Sequence, residues 1–263
     1  MAAALPKDEA RWIELDEIDS TNAEAMRRAL AGERGPLYIR ADRQTAGRGR
    51  SGRAWVALTG NLVLSRMGHL GAPPGVIPQL SLVAGVAVFR AVAAEIKGSD
   101  RAAESLQLKW PNDVLLDGAK LAGILVEATM VGGEQFAIIG IGLNVAKAPE
   151  VPGRHTAALA AIAPGAPVPG PDLRDVSRAV AMHLEDALAL WDEGRGFHAI
   201  RLAWLAASAP QGTAMTIETT DGRVSGFFRG LDTDGALILA DTLGGVRRYT
   251  YGDVTLDSER KMS

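Results

Sequence analysis

Apolar and polar positions alternate over residues 12–18, the period of a half-buried strand. Asp19-Ser20-Thr21-Asn22 follows with residues that cap helices. Thr21 with Glu24 fits a capping box, so an Ala-rich helix is expected from there to a stop at Gly32. Residues 37–42 and Asn61–Ser65 read as strands. The longest apolar stretch, Val76 to Ile96, is broken by Pro78, Gln79 and Arg90, so residues 76–97 read as the main buried helix and not as a membrane span. A strand at 106–109 leads into a hairpin: Val114–Leu116, a turn at Asp117-Gly118, and a return strand over Lys120–Thr129. After Gly132-Gly133 a further strand runs from Phe136 to Val145. Pro, Ala and Gly crowd residues 146–171, which read as a surface connection with one short helix at 156–162. Asp172 caps an amphipathic helix that ends at Trp191, and Phe197–Ala207 forms another; Trp191 and Trp204 fall at helical core spacing.

After Pro210-Gln211-Gly212 the texture changes. Short strands alternate with turns at Asp221-Gly222, Asp234-Gly235 and Gly244-Gly245, the spacing of a small β-barrel over about 212–257. The chain has 263 residues, a length that suits about two domains. The expected organisation is a larger α+β domain over residues 1–211 and a small β-domain over 212–263.

Composition narrows the function. Apolar residues at 47% are enough for a real core. Lys plus Arg is 28 against 31 Asp plus Glu, and a net charge of −3 argues against a general nucleic-acid binder. Cysteine is absent, which excludes disulfides and thiolate metal sites and fits a reducing cytoplasm. Residues 1–9 lack the cationic-then-apolar pattern of a signal peptide. His69, His155, His183 and His198 show no metal-ligand spacing.

Four stretches could carry chemistry. Gly47-Arg48-Gly49-Arg50-Ser51-Gly52-Arg53 matches G-x-G-x-x-G by spelling. No helical pattern follows it, though, and no acidic residue stands about 20 positions on, so the dinucleotide reading fails. A Walker loop fails for want of a Gly-Lys-Ser/Thr ending. What remains is an arginine-dense loop whose glycines let backbone approach a ligand and whose guanidinium forks grip carboxylate or phosphate. A solvated loop or a nucleic-acid contact stays open for it. Lys109-Trp110-Pro111-Asn112-Asp113 and Lys120–Glu127 put two lysines and an aspartate around the hairpin: a phosphate or carboxylate contact and a Mg²⁺ ligand, or an ordinary surface hairpin. Gly140-Ile141-Gly142-Leu143-Asn144 offers a surface bare enough for a flat ring, or close strand packing. Ser20-Thr21-Asn22 is a helix cap that also suits polar or anionic groups.

Taken together and in order, these stretches resemble one family. Ser20–Asn22, Gln44–Trp55, Lys109–Asp113, Lys120–Glu127 and Gly140–Asn144 follow the motif order of the biotin–protein ligases, over about residues 12–257. The resemblance implies a mixed-sheet catalytic domain followed by an SH3-like barrel. It implies an enzyme that joins biotin to AMP from ATP and passes biotin to a lysine of a carrier protein. Ser20, Thr21, Asn22 and Gln44 then look like biotin-ring contacts. Arg48, Gly49 and Arg50 resemble a loop that closes over biotin and the adenylate, with Gly123 on the biotin side. Lys120 resembles the lysine that meets the biotin carboxylate and the α-phosphate, so Lys120 and Arg50 are the expected catalytic residues. Arg53, Trp55, Lys109, Asn112, Gly142 and Asn144, with Arg48 and Arg50, are expected around ATP or the adenylate, and Asp113 is the candidate for Mg²⁺. Ser51 stands where some relatives carry a further arginine.

The partner implied is the biotin carboxyl carrier domain of acetyl-CoA carboxylase or a related carboxylase. No specific DNA partner is expected, because only about 11 residues precede the first strand and leave no room for a helix-turn-helix domain. No membrane partner is expected either, and a homodimer stays open. The rival readings are a lipoate or octanoate ligase, which shares the general fold, and a nucleic-acid-binding module built on the arginine loop.

Overall fold

The structure is a computed structural model that describes residues 10–96, 106–161 and 172–256. Seven strands build one sheet: β1 (Arg11–Ile18), β2 (Leu37–Gln44), β3 (Leu62–His69), β4 (Leu106–Lys109), β5 (Asp113–Leu116), β6 (Ala119–Val131) and β7 (Glu134–Leu143). Their order is β1-β2-β3-β7-β6-β5-β4. β1 and β2 run parallel and the remaining neighbours antiparallel, so the sheet is mixed, as expected. The β5–β6 turn is the one that the sequence announces: Asp117 and Gly118 take φ of 49° and 76°, the pair of positive values a tight hairpin turn needs.

The two faces of the sheet are used differently. Residues alternate in direction along a strand, so on β7 Ile139, Ile141 and Leu143 join the large core while Ile138, Gly140 and Gly142 face the other way. The large core is closed by α2 (Gln79–Glu95), α3 (Leu173–Trp191) and α4 (Phe197–Ala206). α2 is apolar nearly all round, which suits a helix buried between the sheet and other helices. The opposite face carries α1 (Thr21–Leu30), which packs Ala25 and Ala29 on Leu37, Ile39, Met67, Phe136 and Ile138. α1 covers only part of that face, and the rest is left for the site.

A second sheet, β8 (Ala214–Thr219), β9 (Gly222–Leu231), β10 (Leu237–Ala240), β11 (Val246–Tyr249) and β12 (Asp253–Leu256), is antiparallel throughout in the order β11-β10-β9-β8-β12. Among the described residues no ladder joins its edge strands β11 and β12, so hydrogen bonds do not close a barrel. It is not a loosely tethered module. Met215, Ile217, Phe228 and Leu237 belong to the same core as Leu108 and Trp204. Trp110 Nε1 donates to Gly235 O at 3.0 Å, and Arg201 donates twice to Leu231 O.

Three local expectations change. The cap of α1 is Ser20, whose hydroxyl accepts from Ala23 N, so the Thr21–Glu24 box does not form; Glu24 pairs with Arg27 and Arg28 instead. The long apolar helix is preceded by a separate 3-10 turn at Pro74–Val76 and starts only after Pro78, because proline fits a helix's first turn and not its interior. The expected short helix at 156–162 is a single 3-10 turn, Leu159–Ala161, and residue 162 lies outside the described residues.

Candidate active site

The site is built on the face that α1 leaves uncovered. Strand register sets Val63, Gly142, Gly123 and Asp113 side by side across β3, β7, β6 and β5, and Ser65, Gly140 and Leu125 in the next row. The glycines matter by what lies on them. A Cβ on Gly142 would stand 2.2 Å from Trp55 Cε2, one on Gly123 2.9 Å from Trp55 Cζ3, and one on Gly140 2.3 Å from Asn22 Oδ1. The flat ring anticipated against this strand is, in this structure, the indole of Trp55. Its Nε1 is buried without a hydrogen-bond partner.

Lys120 reaches the same face through an irregularity. The β5–β6 register pairs Val114 with Ala122 but Leu115 with Lys120, a one-residue shift between them. Without that shift Lys120 would point to the face opposite Gly123; a bulge re-aims a side chain in this way. Its ammonium lies 2.6 Å from Asp113 Oδ1 and 5.6 Å from the centre of the Trp55 ring, within cation–π range. Lys109 Nζ approaches Asp113 Oδ2 at 3.7 Å. Burial alone would raise the Asp113 pKa, but the charges of Lys120 and then Lys109 outweigh it and hold the carboxyl below its ordinary 3.8.

At the N-terminus of α1, Thr21 donates to Gln44 Oε1 through its backbone N–H at 2.8 Å and its hydroxyl at 3.0 Å. Ser65 Oγ donates to Asn22 Oδ1 at 2.6 Å. Ser20, Thr21 and Asn22 are all buried. This is a closed polar network, able to present oriented donors and acceptors to a small polar ring.

The glycine–arginine segment forms a short hairpin, with Arg48 bridged to Ala54 and Gly49 N donating to Arg53 O at 2.7 Å. Ser51 sits at φ 54° in a 3-10 turn, Arg50–Gly52. Arg50 donates to Asn112 Oδ1 at 3.2 Å and to Gly252 O at 3.3 Å, and lies 3.6 Å from Asp253 Oδ1. Arg53 pairs with the other oxygen of Asp253. The C-terminal sheet thus reaches into the site and holds two loop arginines. Burial lowers the Arg50 pKa against the opposing pull of Asp253 and Asp113, and a guanidinium stays charged regardless.

All of this lines one cavity of ≈ 420 Å³. Ser20, Thr21, Asn22, Gln44, Arg48, Gly49, Arg50, Arg53, Trp55, Lys109, Asn112, Asp113, Lys120, Gly123 and Gly142 all face it, so fifteen of the sixteen residues that the sequence singled out come together. Asn144 does not. It is buried behind the wall, where its amide donates to Ala157 O at 3.0 Å and to Lys120 O at 3.4 Å, bracing the start of β6. Asp113 faces the cavity but does not fit a resident Mg²⁺ site. Each of its oxygens already faces an ammonium, and no cluster of three His, Asp or Glu able to hold a metal occurs among the described residues.

The sequence profile of the Biotin/lipoate A/B protein ligase family matches residues 15–144. A biotin–[acetyl-CoA-carboxylase] ligase of Paracoccus denitrificans is 40% identical over 243 residues, covering 88% of this chain and 94% of that protein. The chain belongs to the biotin–protein ligase family. Solved ligases share the fold. A structure of the Aquifex aeolicus biotin protein ligase in complex with biotin and ATP superposes with a TM-score of 0.73 at 26% identity, over 94% of this chain and 98% of that one. The Leishmania major ligase in complex with biotinyl-5-AMP gives a TM-score of 0.63 at 26% identity, over 90% and 98%.

Within this ligase fold the structure adds residues that sequence reasoning missed. Glu218, Asp253 and Thr255 line the cavity from the second sheet, and Arg154 and His155 from a segment expected to be mere surface connection. Ser65 and Glu127 stand behind Asn22. Of these only Glu127 stood in a stretch singled out for its chemistry, as the last residue of Lys120–Glu127.

Proposed function

We propose that this chain is an ATP-dependent biotin–protein ligase that makes biotinyl-5′-AMP and transfers the biotinyl group to one lysine of a carboxylase biotin carrier domain. The observation that carries the reading is the meeting, in one cavity, of the buried Ser20-Thr21-Asn22-Gln44 network with the cations Lys109, Lys120, Arg48, Arg50 and Arg53. A neutral polar ring suits the first and a carboxylate and phosphates suit the second. No helix among the described residues is long and apolar enough to cross a membrane. The cytoplasm is the compartment we assign, in keeping with a sequence without cysteine.

The first reaction has an electrostatic barrier. A carboxylate must approach an α-phosphate, and two like charges about 4 Å apart repel by roughly 4 kcal/mol at an effective dielectric of 20. Lys120, aimed into the cavity by the β5–β6 bulge, is assigned the neutralisation of both, together with Arg50, which lines the same cavity. The biotin carboxylate oxygen bonds to the α-phosphorus, the bond to the bridging oxygen breaks, and pyrophosphate leaves. Mg²⁺ enters as part of the MgATP substrate, since Asp113 is taken by the lysines. The mixed anhydride hydrolyses in water, so the glycine–arginine segment is assigned the task of covering it. In the second reaction the neutral amine of the carrier lysine bonds to the acyl carbon, AMP leaves, and the amine loses its proton.

The test is biotin-dependent exchange of pyrophosphate into ATP, with mass-spectrometric detection of biotinyl-AMP. Exchange with biotin and none with lipoate or octanoate is expected. Exchange driven by lipoate or octanoate instead would assign the chain to the neighbouring branch of the same fold.

A further inference from the structure

Asn22 in the ring pocket and Arg48 in the glycine–arginine loop are held by one carboxylate. Glu127 Oε2 accepts from Asn22 Nδ2 at 2.7 Å, and Glu127 Oε1 lies 3.4 Å from Arg48 Nη2. The rest of the Asn22 amide is also committed. Nδ2 donates to Leu125 O at 3.3 Å, and Oδ1 accepts from Ser65 Oγ at 2.6 Å. Glu127, with the weaker help of the Leu125 carbonyl, therefore fixes which end of the amide points where: both only accept, so they face the NH₂ and leave the carbonyl end over Gly140. Glu127 does not line the cavity itself. It sits on β6 two residues beyond Leu125, on the cavity-facing side of the strand. The two contacts differ in character. Asn22 is buried, whereas the side chain of Arg48 is 51% exposed, and an ion pair so exposed adds little to the stability of the fold.

We propose that Glu127 is a positioning residue that couples the biotin-ring pocket to the arginine loop: one oxygen orients the Asn22 amide for the ring while the other tethers Arg48 beside it. Occupation of the ring pocket and placement of the loop then draw on the same anchor. The proposal rests on the biotin reading of the cavity.

Glu127→Gln and Glu127→Ala separate the two functions. Glutamine keeps an oxygen to accept from Asn22 but loses the charge facing Arg48; alanine loses both. In the full chain, Glu127→Gln is expected to keep the biotin dissociation constant within about threefold of wild type while biotinyl-AMP leaves about tenfold faster, the scale of one charge-assisted contact. Glu127→Ala is expected to weaken biotin itself by about tenfold as well. Adding Glu127→Gln to Arg48→Ala should accelerate release no further than Arg48→Ala alone, because the glutamate acts on release through that arginine. Wild-type biotin affinity and adenylate release in both variants would overturn the proposal. So would losses that rise in step, for Gln and Ala alike, with a falling melting temperature, since that is the mark of a packing role. If Glu127→Ala does not fold, Glu127→Gln and its combination with Arg48→Ala decide. A wild-type chain that forms no biotinyl-AMP would overturn the underlying biotin reading, a failure distinct from that of the Glu127 variants.

Discussion

Lys120 and Asp113, seven residues apart in sequence, meet at 2.6 Å across a bulged hairpin, and the aspartate's other oxygen faces Lys109 at 3.7 Å. The carboxylate holds the Lys120 ammonium in place at the cavity wall. It also makes Lys120 a member of a partly buried charge cluster, so its removal has two consequences, one chemical and one structural.

Lys120→Ala is expected to slow adenylate formation by about 10²–10³-fold, the usual loss when one electrostatic stabiliser of a transition state goes. The measurement is single-turnover formation of biotinyl-AMP with saturating biotin and ATP. Near-wild-type turnover would remove the assigned role.

Acidification should probe Asp113. Its carboxyl is held below 3.8, so in the folded chain it binds its proton less readily than in the unfolded one. Its ionised form contributes stability that is fully present above the unfolded value. That stability is lost as pH falls through the lower, folded value. Asp113→Asn should therefore lower the melting temperature at neutral pH, and the gap to wild type should narrow below about pH 4. Calorimetry across this range checks it; a gap independent of pH would show that Asp113 acts by shape alone.

Gly142→Ala should displace Trp55. The new Cβ has only 2.2 Å to the indole, so either the ring leaves the glycine shelf or β7 shifts; overpacking of this kind costs about 1–3 kcal/mol. A change in tryptophan emission with weakened adenylate retention is expected. Gly75→Ala is the control, since a Cβ there meets nothing within 4 Å. Unchanged emission and retention in Gly142→Ala would mean that the shelf does not hold the ring in solution.

Arg50→Gly should separate making the adenylate from keeping it. Arg50 ties the loop to Asn112 and to the Gly252 carbonyl. A charged hydrogen bond of this sort contributes about 1.5–3 kcal/mol, which corresponds to biotinyl-AMP leaving roughly 10- to 100-fold faster. The released anhydride should label bystander lysines. Incubation with biotin, ATP and serum albumin, followed by blotting for biotin, reads this out; equal labelling by mutant and wild type would leave the arginine without a retaining role.

What the sequence determined by itself was local and periodic. Alternation marked the strands, and Asp117-Gly118 marked the hairpin turn because few other pairs tolerate two positive φ values. The order of the Ser-Thr-Asn, glycine–arginine, Lys-Trp-Pro-Asn-Asp and Lys-Leu-Ala-Gly stretches carried the resemblance to the biotin–protein ligases, and the resemblance implied which residues share a pocket. Tertiary structure decided whatever depended on register or on a distant partner. The Lys120 side chain reaches the cavity through a one-residue slip between β5 and β6 that no periodicity announces. Asn144, whose motif pointed to the ligand, turns instead to the carbonyls of Lys120 and Ala157. Asp253, some 200 residues from the arginines it holds, enters the site only because the second sheet shares the core of the first. A carboxylate's partner is chosen by which surfaces are buried together, and burial is a property of the folded chain as a whole.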